Sequence, residues 1–493
     1  MVGAQALKTA AVPLPLEPVE LPEEELRWCS VTLNEVIERG SRLEASVFDI
    51  EGKHAREVLE RCKWPVRSVW GEHGMADDVF VPGRVKRKYL GSDDPEAIGF
   101  LGSSEMLAVK PVPYKWLSMN EPKYEQFKVK EGLVLISCSG TIGNLAFVSG
   151  TLAGFMVSQH AIRIAAQYPG YIYCFLKSAT GKALVNANIY GAVISEIEPA
   201  HFEEVPIPDP PAPVKQRIHD LVIRSYALRD ESNALLNEAE RLLYEALNLP
   251  ALAKLRPRYF DKAADLRNYA ATLSDLAGRL DASYHVPIVD AIMRRLKKEA
   301  AEITTIGDPR ISNRIVLPGR FARVYVQEGQ GTVFFGGKQL YELDPANKKY
   351  LSLKHHGNRI REQLTLEENM VMITCSGTIG KTALVPNHWQ GWTANQHIIR
   401  VEPASADVAG YLYVFLATGY GRELIRRFTY GSVVDEIDDR HVAAVPVPLL
   451  KDTATQAEIN RLALEANAKR TEAYHAEQQA IRITNDEVIH AEN

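Results

Sequence analysis

Two cysteine–histidine pairs are the first residues in this chain whose types and spacing could do chemistry. Cys138 precedes His160 by 22 residues, and Cys375 precedes His397 by the same 22. A thiol beside an imidazole can act as a nucleophile, and the two together can hold a metal. No further Cys, Asp or Glu recurs beside either pair at ligand spacing, so a buried strand-end cysteine fits each position better. Both cysteines open one hexapeptide, Cys-Ser-Gly-Thr-Ile-Gly, at 138–143 and again at 375–380. The second copy continues Lys381-Thr382, which suggests a phosphate loop. A Walker loop needs four residues between its glycines so that the backbone can curl round the phosphates. Gly377 and Gly380 leave two, and Asn144 stands where the second copy has Lys381. The serine-nucleophile elbow G-x-S-x-G is absent. The tetrapeptide Asp209–Ala212 lacks the aromatic residue that a base methyltransferase stacks on its target. The sequence therefore assigns this chain no catalytic residue, no metal ligand and no cofactor of its own.

What remains is the geometry of the repeated loop. In each copy two apolar strands are joined by Ser-Gly-Thr-Ile-Gly. Its glycines allow backbone conformations closed to other residues. Ser139, Gly140 and Thr141, and Ser376, Gly377 and Thr378, then expose hydroxyls and amides. Such a turn is either a tight hairpin with no ligand or a presenter of N–H and O–H groups to a phosphate backbone. Charge nearby favours the second reading. "PGRVKRKYL" carries Arg84, Lys86, Arg87 and Lys88 with no acid. The matching stretch carries Arg310, Arg314, Arg320 and Arg323 against the single acid Asp308, and Lys381 follows the second loop. Basic runs are usually solvated surface, but these occupy aligned positions in both copies.

The elements that must position these residues are themselves duplicated. Cys138 and Cys375 stand 237 residues apart, as do Gln159-His160 and Gln396-His397, and "SRLEAS" from Ser41 and "GRLDAS" from Gly278. "VPGR" and "LPGR" end at Arg84 and Arg320. "YGAVISEI" from Tyr190 matches "YGSVVDEI" from Tyr430, and "EEVPIPDP" matches "AAVPVPLL" at the same spacing of 240. One long unit is used twice, so both halves share a fold and a task. Each unit reads as a globular part rich in short strands ("GLVLISCSG", "NLAFVSG", "AIRIA"; "NMVMITCSG", "TALVP", "HIIRVEP") followed by a long helix. Proline in "VPIPDPPAP" is expected to hold off the first helix until Val214. Leu221, Leu228, Leu235 and Leu242 then recur every seven residues, beside a row of Ile218, Ser225, Ser232, Ala239 and Ala246. That is a heptad seam with small residues on one side, over a helix about 50 Å long. The second helix offers Ile459, Leu462, Ala466, Ala473, Ala476, Ala480 and Ile483, interrupted by Lys469. Two helices that follow equivalent domains are expected to pair antiparallel.

At 493 residues the chain is too long for one core, and 46% hydrophobic with 24% charged is an ordinary soluble balance. No apolar run reaches the ~18 residues of a membrane helix. The first 26 residues turn acidic without a basic, apolar leader pattern, and five cysteines without CxxC fit a reduced, cytoplasmic setting. A net charge of −5 argues against a uniformly basic nucleic-acid binder but leaves room for local basic faces.

In their order, the "RLEAS"/"RLDAS" starts, the "SGTIG" loops, the "YGAVISEI…VPIPDPP" and "YGSVVDEI…VPVPLL" segments, and Gln216 and Gln456 near the helix starts, resemble the DNA-specificity subunit family of type I restriction-modification systems. The resemblance implies an α+β chain of two target-recognition domains, each reading one half of a bipartite double-stranded DNA target. It implies two long helices paired as an antiparallel coiled coil that docks methyltransferase subunits, and through them restriction/motor subunits. Partner contacts would fall on Leu221, Leu228, Leu235, Leu242, Ile459 and Leu462. S-adenosylmethionine and ATP with Mg would sit on the partners. The expected layout is an N-terminal extension (1–40), a first recognition domain (41–212), a central helix (213–249), a linker (250–278), a second recognition domain (279–449) and a C-terminal helix (450–493). Three other readings stay open: a duplicated adaptor or specificity module of another phage-defence system, a protein-binding scaffold that does not bind DNA, and a duplicated Cys–His enzyme.

Overall fold

The computed structural model describes residues 30–38, 48–190, 195–255, 270–276, 278–431 and 433–491. The Ser41–Ser46 motif, most of the N-terminal extension, much of the linker and part of the "YGAVISEI" segment lie outside the described residues. Each half is built from the same sheets in the same order. In the first half an antiparallel sheet runs Ala76–Phe80, Ala161–Ala166, Val134–Ser137, Leu145–Phe147; in the second it runs Ser312–Val316, Ile398–Pro403, Val371–Thr374, Thr382–Leu384. The apolar runs read from the sequence supply the inner strands, and Val134–Ser137 and Val371–Thr374 are buried on both faces.

A second sheet in each half also repeats. Lys115–Ser118, Ala97–Leu101 and Met156–Val157 correspond to Lys349–Ser352, Gly331–Phe335 and Thr393–Ala394. The second half adds the short edge strand Tyr325–Val326, where the first half has the single bridge Leu90–Trp116. A two-stranded ladder closes each half, Val66–Ser68 with Pro206–Pro208 and Glu302–Thr305 with Pro446–Leu449.

The two long helices span Ala212–Ala246 and Thr453–Ile483. The first begins two residues earlier than the proline run suggests. Pro213 falls in the first turn, where its missing N–H removes no intrahelical bond. The helices lie against each other, and their contacts run in opposite directions. Arg217 meets Glu487, Ser225 Oγ donates to the Ala473 carbonyl at 2.7 Å, and Lys469 Nζ pairs with Glu231 at 2.5 Å. Lys469 thus flanks the seam rather than breaking it. The rows that meet are not the leucines. Ile218, Ser225, Ser232 and Ala239 are fully buried, as are Ala466, Ala473 and Ala480 opposite. Small side chains let the backbones approach closely enough for a hydroxyl to reach a carbonyl across the pair. Of the heptad leucines only Leu228 is buried; Leu221, Leu235 and Leu242 are half-buried against the domain cores.

Each helix begins on its own domain and ends in the other. Ile218, Val222 and Tyr226 pack in the first domain's core, while Leu243, Leu247 and Leu249 pack in the second's. Ile459 and Leu462 belong to the second core, and Ala480, Val488 and Ile489 to the first. Backbone carbonyls seal both crossings: Lys63 N donates to the Ala491 carbonyl at 2.9 Å, and Tyr420 OH to the Pro250 carbonyl at 2.6 Å. At the middle of the pair Glu477 is wholly buried, with Lys177 Nζ and Arg229 Nη2 each 3.0 Å from its Oε1 and the Tyr173 hydroxyl donating to it. The halves also touch directly. Ala108 bridges Glu342, and Val109 N donates to the Tyr341 carbonyl at 2.8 Å. No helix among the described residues is long and apolar enough to cross a membrane.

Candidate nucleic-acid interface

The Cys-Ser-Gly-Thr-Ile-Gly loop has one geometry in both halves. Gly140 and Gly143 hold φ of +77° and +83°, and Gly377 and Gly380 hold +73° and +81°. Two positive-φ residues three apart require glycine, which is why the pattern recurs letter for letter. The residue before the cysteine locks the turn. Ser137 Oγ donates to the Thr141 carbonyl at 2.6 Å and accepts from Asn144 N at 2.9 Å; Thr374 Oγ1 does the same with Thr378 and Lys381 at 2.5 and 2.9 Å. Gly140 N donates to the Ser195 carbonyl and Gly377 N to that of Asp435, tying each loop to the segment after Tyr190 or Tyr430. The Thr141 and Thr378 side chains are left exposed at the tip.

The cysteines face inward. Cys138 Sγ points at the Gln159 carbonyl (3.6 Å) and Cys375 Sγ at that of Gln396 (3.7 Å). Burial pushes the two thiols up to about 11 and about 12, so both are protonated at neutral pH and neither is poised as a nucleophile. The histidines meet the cysteines through backbone only: Cys138 N donates to the His160 carbonyl and Cys375 N to that of His397. Burial, and then Arg87 and Arg84, hold the His160 imidazole below its usual range; burial, Arg320 and Arg323 do so for His397. No cluster of three or more His, Cys, Asp or Glu that could hold a metal occurs among the described residues.

The basic run and the loop are brought together through one carboxylate in each half. Arg84 lies 3.6 Å from Glu196, whose backbone bridges Ser139 and whose Oε1 is 3.4 Å from the Ser139 hydroxyl. Arg320 lies 3.2 Å from Glu436, which bridges Ser376. Both arginines remain about four-fifths exposed, at 78% and 80%. Lys86 and Lys88 are exposed, and the Lys88 amide donates to Tyr124 OH at 2.8 Å. Arg87 lies over the Phe100 ring at 5.0 Å; its counterpart Arg323 lies over Phe334 at 5.5 Å and donates to Gln396 Oε1 at 2.5 Å. Arg310 and Arg314 go elsewhere: Arg310 chelates Asp308 and Glu302, and Arg314 donates to the Glu362 carbonyl. Lys381 is half-buried, with Nζ 5.4 Å over the Tyr341 ring.

Two matched features escaped the sequence reading. Exposed Tyr89 and Tyr325 each carry a lysine over the ring, Lys115 at 5.2 Å and Lys349 at 4.9 Å, and each ring neighbours a phenylalanine, Phe100 or Phe334. The "GRVKRKY" and "GRFARVY" alignment would have paired these tyrosines. Buried Arg163 and Arg400 each cap the carbonyls of the turn that carries Gln159-His160 or Gln396-His397: Arg163 donates to the Val157 and Ser158 carbonyls at 2.5 and 3.0 Å, and Arg400 to the Ile398 carbonyl at 2.7 Å. Burial draws these guanidinium groups down to about 10 and about 9. Their signal was an arginine at the third position of two strands, Ala161–Ala166 and Ile398–Pro403, whose first four residues are otherwise apolar. Each half therefore presents an exposed turn, an exposed arginine held by a carboxylate, and a tyrosine with a lysine over its ring. That set can contact phosphate oxygens and stack on a base or sugar.

Residues 94–241 match a family model described as the type I restriction modification DNA specificity domain. The matched stretch contains the first Cys-Ser-Gly-Thr-Ile-Gly loop, Lys115, and the central helix as far as Arg241. No curated protein matches. Among solved structures, the chain is similar to the S subunit of a type I restriction-modification system from M. genitalium, with 11% identity over 87% of this chain and 96% of that one and a TM-score of 0.32. It is similar to the HsdS subunit from Thermoanaerobacter tengcongensis, with 14% identity over 86% and 100% and a TM-score of 0.26. A chain from a structural study of complex assembly and conformational transition in the type I R-M system gives 15% identity over 87% and 95% and a TM-score of 0.27. Over residues 94–241, then, the likeness that the motifs carried is borne out, and this stretch is similar to the type I restriction modification DNA specificity domain.

Proposed function

We propose that the chain is the non-catalytic DNA-specificity subunit of a type I restriction-modification complex, each half reading one part of a bipartite duplex target. The observation that carries this reading is the duplication of one exposed arrangement. The glycine turn, the carboxylate-held arginine and the tyrosine–lysine pair recur in both halves, and the first turn lies in the matched domain. In this reading Arg84, Lys86, Lys88 and Thr141, with Arg320, Arg323 and Thr378, position the phosphate backbone, while the loops that differ between the halves read bases. A helix of 35 residues is ~52 Å long. Two domains bridged by it suit half-sites about one helical turn or more apart, centre to centre. The helix pair docks methyltransferase subunits, which bring S-adenosylmethionine, and through them motor subunits that bring ATP and Mg. The cytoplasm is the setting such a complex requires.

The test is a binding isotherm on duplex DNA at several salt concentrations. Phosphate-led binding loses affinity steeply, with log K falling linearly in log salt. A protein-binding scaffold would show no such slope on DNA.

A further inference from the structure

The two halves differ behind the repeated loop. In the second half a cleft of about 620 Å³ opens beside Thr378 and is lined by Lys381, Arg422, Arg426 and Arg427, with Tyr114 of the first half at its edge. Arg422 and Arg426 lie on the helix Gly419–Arg426, with Arg427 directly after it. Two acids also line the cleft, Glu423 and Asp435, and Glu423 lies 3.7 Å from Arg426. Lys381, Arg422 and Arg427 have no carboxylate within 4 Å among the described residues. Arg427 rests on the Tyr284 ring at 4.1 Å, and the Nε atoms of Arg422 and Arg427 are buried without a hydrogen-bond partner. The corresponding positions of the first half are Asn144, Lys182, Asn186 and Ala187, one cation in place of four.

Four cations stand here against two acids, and crowded like charges repel one another. That cost is relieved by an anion with several acceptor oxygens. A phosphate fits the donor set: guanidinium forks give paired N–H bonds, Lys381 adds a point charge, and the exposed Thr378 hydroxyl adds a neutral donor. The spacing is not that of a Walker loop, so side chains rather than a backbone cradle supply the contacts.

We propose that this cleft is an oxyanion site that takes a phosphate group, in the second half only. The phosphate has two possible sources, a free phosphate compound or the backbone of bound DNA. The inference does not rest on the reading of the chain as a specificity subunit.

The experiment is calorimetric titration of the full chain with inorganic pyrophosphate, and separately with a duplex in the presence and absence of pyrophosphate. Saturable pyrophosphate binding is expected. Arg422→Gln and Lys381→Gln should each weaken it about 10-fold, the effect of removing one charge-assisted hydrogen bond. Lys182→Gln, at the matching position of the first half, should leave it unchanged. Arg426→Gln, at the more exposed rim, repeats the test should Arg422→Gln melt at lower temperature. If DNA is the source, pyrophosphate competes with the duplex and Arg422→Gln lowers the salt slope by about one unit. If a free phosphate is the source, duplex binding is indifferent to both. Pyrophosphate binding that survives the Arg422→Gln/Lys381→Gln double variant overturns the proposal. So does the absence of saturable pyrophosphate binding together with unchanged duplex binding in that variant. A wild-type chain that binds pyrophosphate at this cleft and no duplex at all would defeat the specificity reading and leave the oxyanion site standing.

Discussion

Glu477→Gln should be among the most damaging single substitutions in the chain. The side chain is wholly buried where both long helices meet the first domain, and it neutralises Lys177 and Arg229, each at 3.0 Å. Burial by itself would raise its carboxyl. The two cations and the Tyr173 hydroxyl outweigh that and hold it at about 2, against an ordinary 4.5. A shift of that size corresponds to roughly 3 kcal/mol of interaction that only the charged form makes. Removing one member of a buried pair costs about 3–5 kcal/mol, because the partner charge stays behind unpaired. Here two cations stay behind, so the upper end of that range is expected, read as a fall in the urea midpoint with a similar slope.

The sign with pH follows from the depressed value. The contribution is fully present above about 4.5 and disappears as pH falls through about 2. Wild type and Glu477→Gln should therefore converge in stability over that interval and differ most at neutral pH. Replacing Glu477, Lys177 and Arg229 together by methionine should recover much of the deficit. A Glu477→Gln protein within about 1 kcal/mol of wild type at pH 7, or a gap that widens on acidification, would refute the argument.

Arg84→Glu with Lys86→Glu should weaken binding to specific and random duplexes alike and flatten the salt dependence by about one unit for each phosphate that the variant no longer neutralises, with little change in melting, since Arg84 is 78% exposed; titration on matched duplexes checks this. Gly140→Val and Gly377→Val should each cost about 1–3 kcal/mol through the backbone, because φ is +77° and +73° and a Cβ would meet no atom within 4 Å; thermal melts read it, and a neutral result would mean the turn relaxes. Leu228→Asp should cost several kcal/mol and reduce co-purification with the methyltransferase, while half-buried Leu235→Asp costs less. Cys138 and Cys375 should resist alkylation in the folded chain at pH 8, as thiols pushed to about 11 and about 12 remain protonated; mass spectrometry of labelled peptides reads the outcome.

The repeat made most of the fold legible. Strands around Val134–Ser137 and Val371–Thr374 announce themselves as apolar runs bounded by turn residues, and two helices at the ends of equivalent units are long enough to see as periodic patterns. The seam was legible in part. The row of Ile218, Ser225, Ser232 and Ala239 read from the sequence does meet the partner helix, but the leucines read beside it as the other half of the seam, Leu221, Leu235 and Leu242, cover domain cores. Size, not hydrophobicity, decides which face goes to a close helix–helix contact, and a hydrophobic period cannot report that. The turn was legible because positive φ demands glycine. The arginine-lined cleft was not, since Lys381 and Arg422 are brought to one place only by the packing of the helix Gly419–Arg426 behind the loop. Arg310 illustrates the opposite failure. It looked like part of a basic run, yet two acids eight and two residues before it neutralise it.

The central claim is that two halves read one duplex at two separated places. Its most direct test is the methylation pattern across the genome of a host carrying the intact system with this chain. The account predicts one interrupted motif, two specific half-sites flanking a gap of fixed length and any sequence, which disappears when this chain is deleted. A short continuous motif, or methylation unchanged by the deletion, would contradict it.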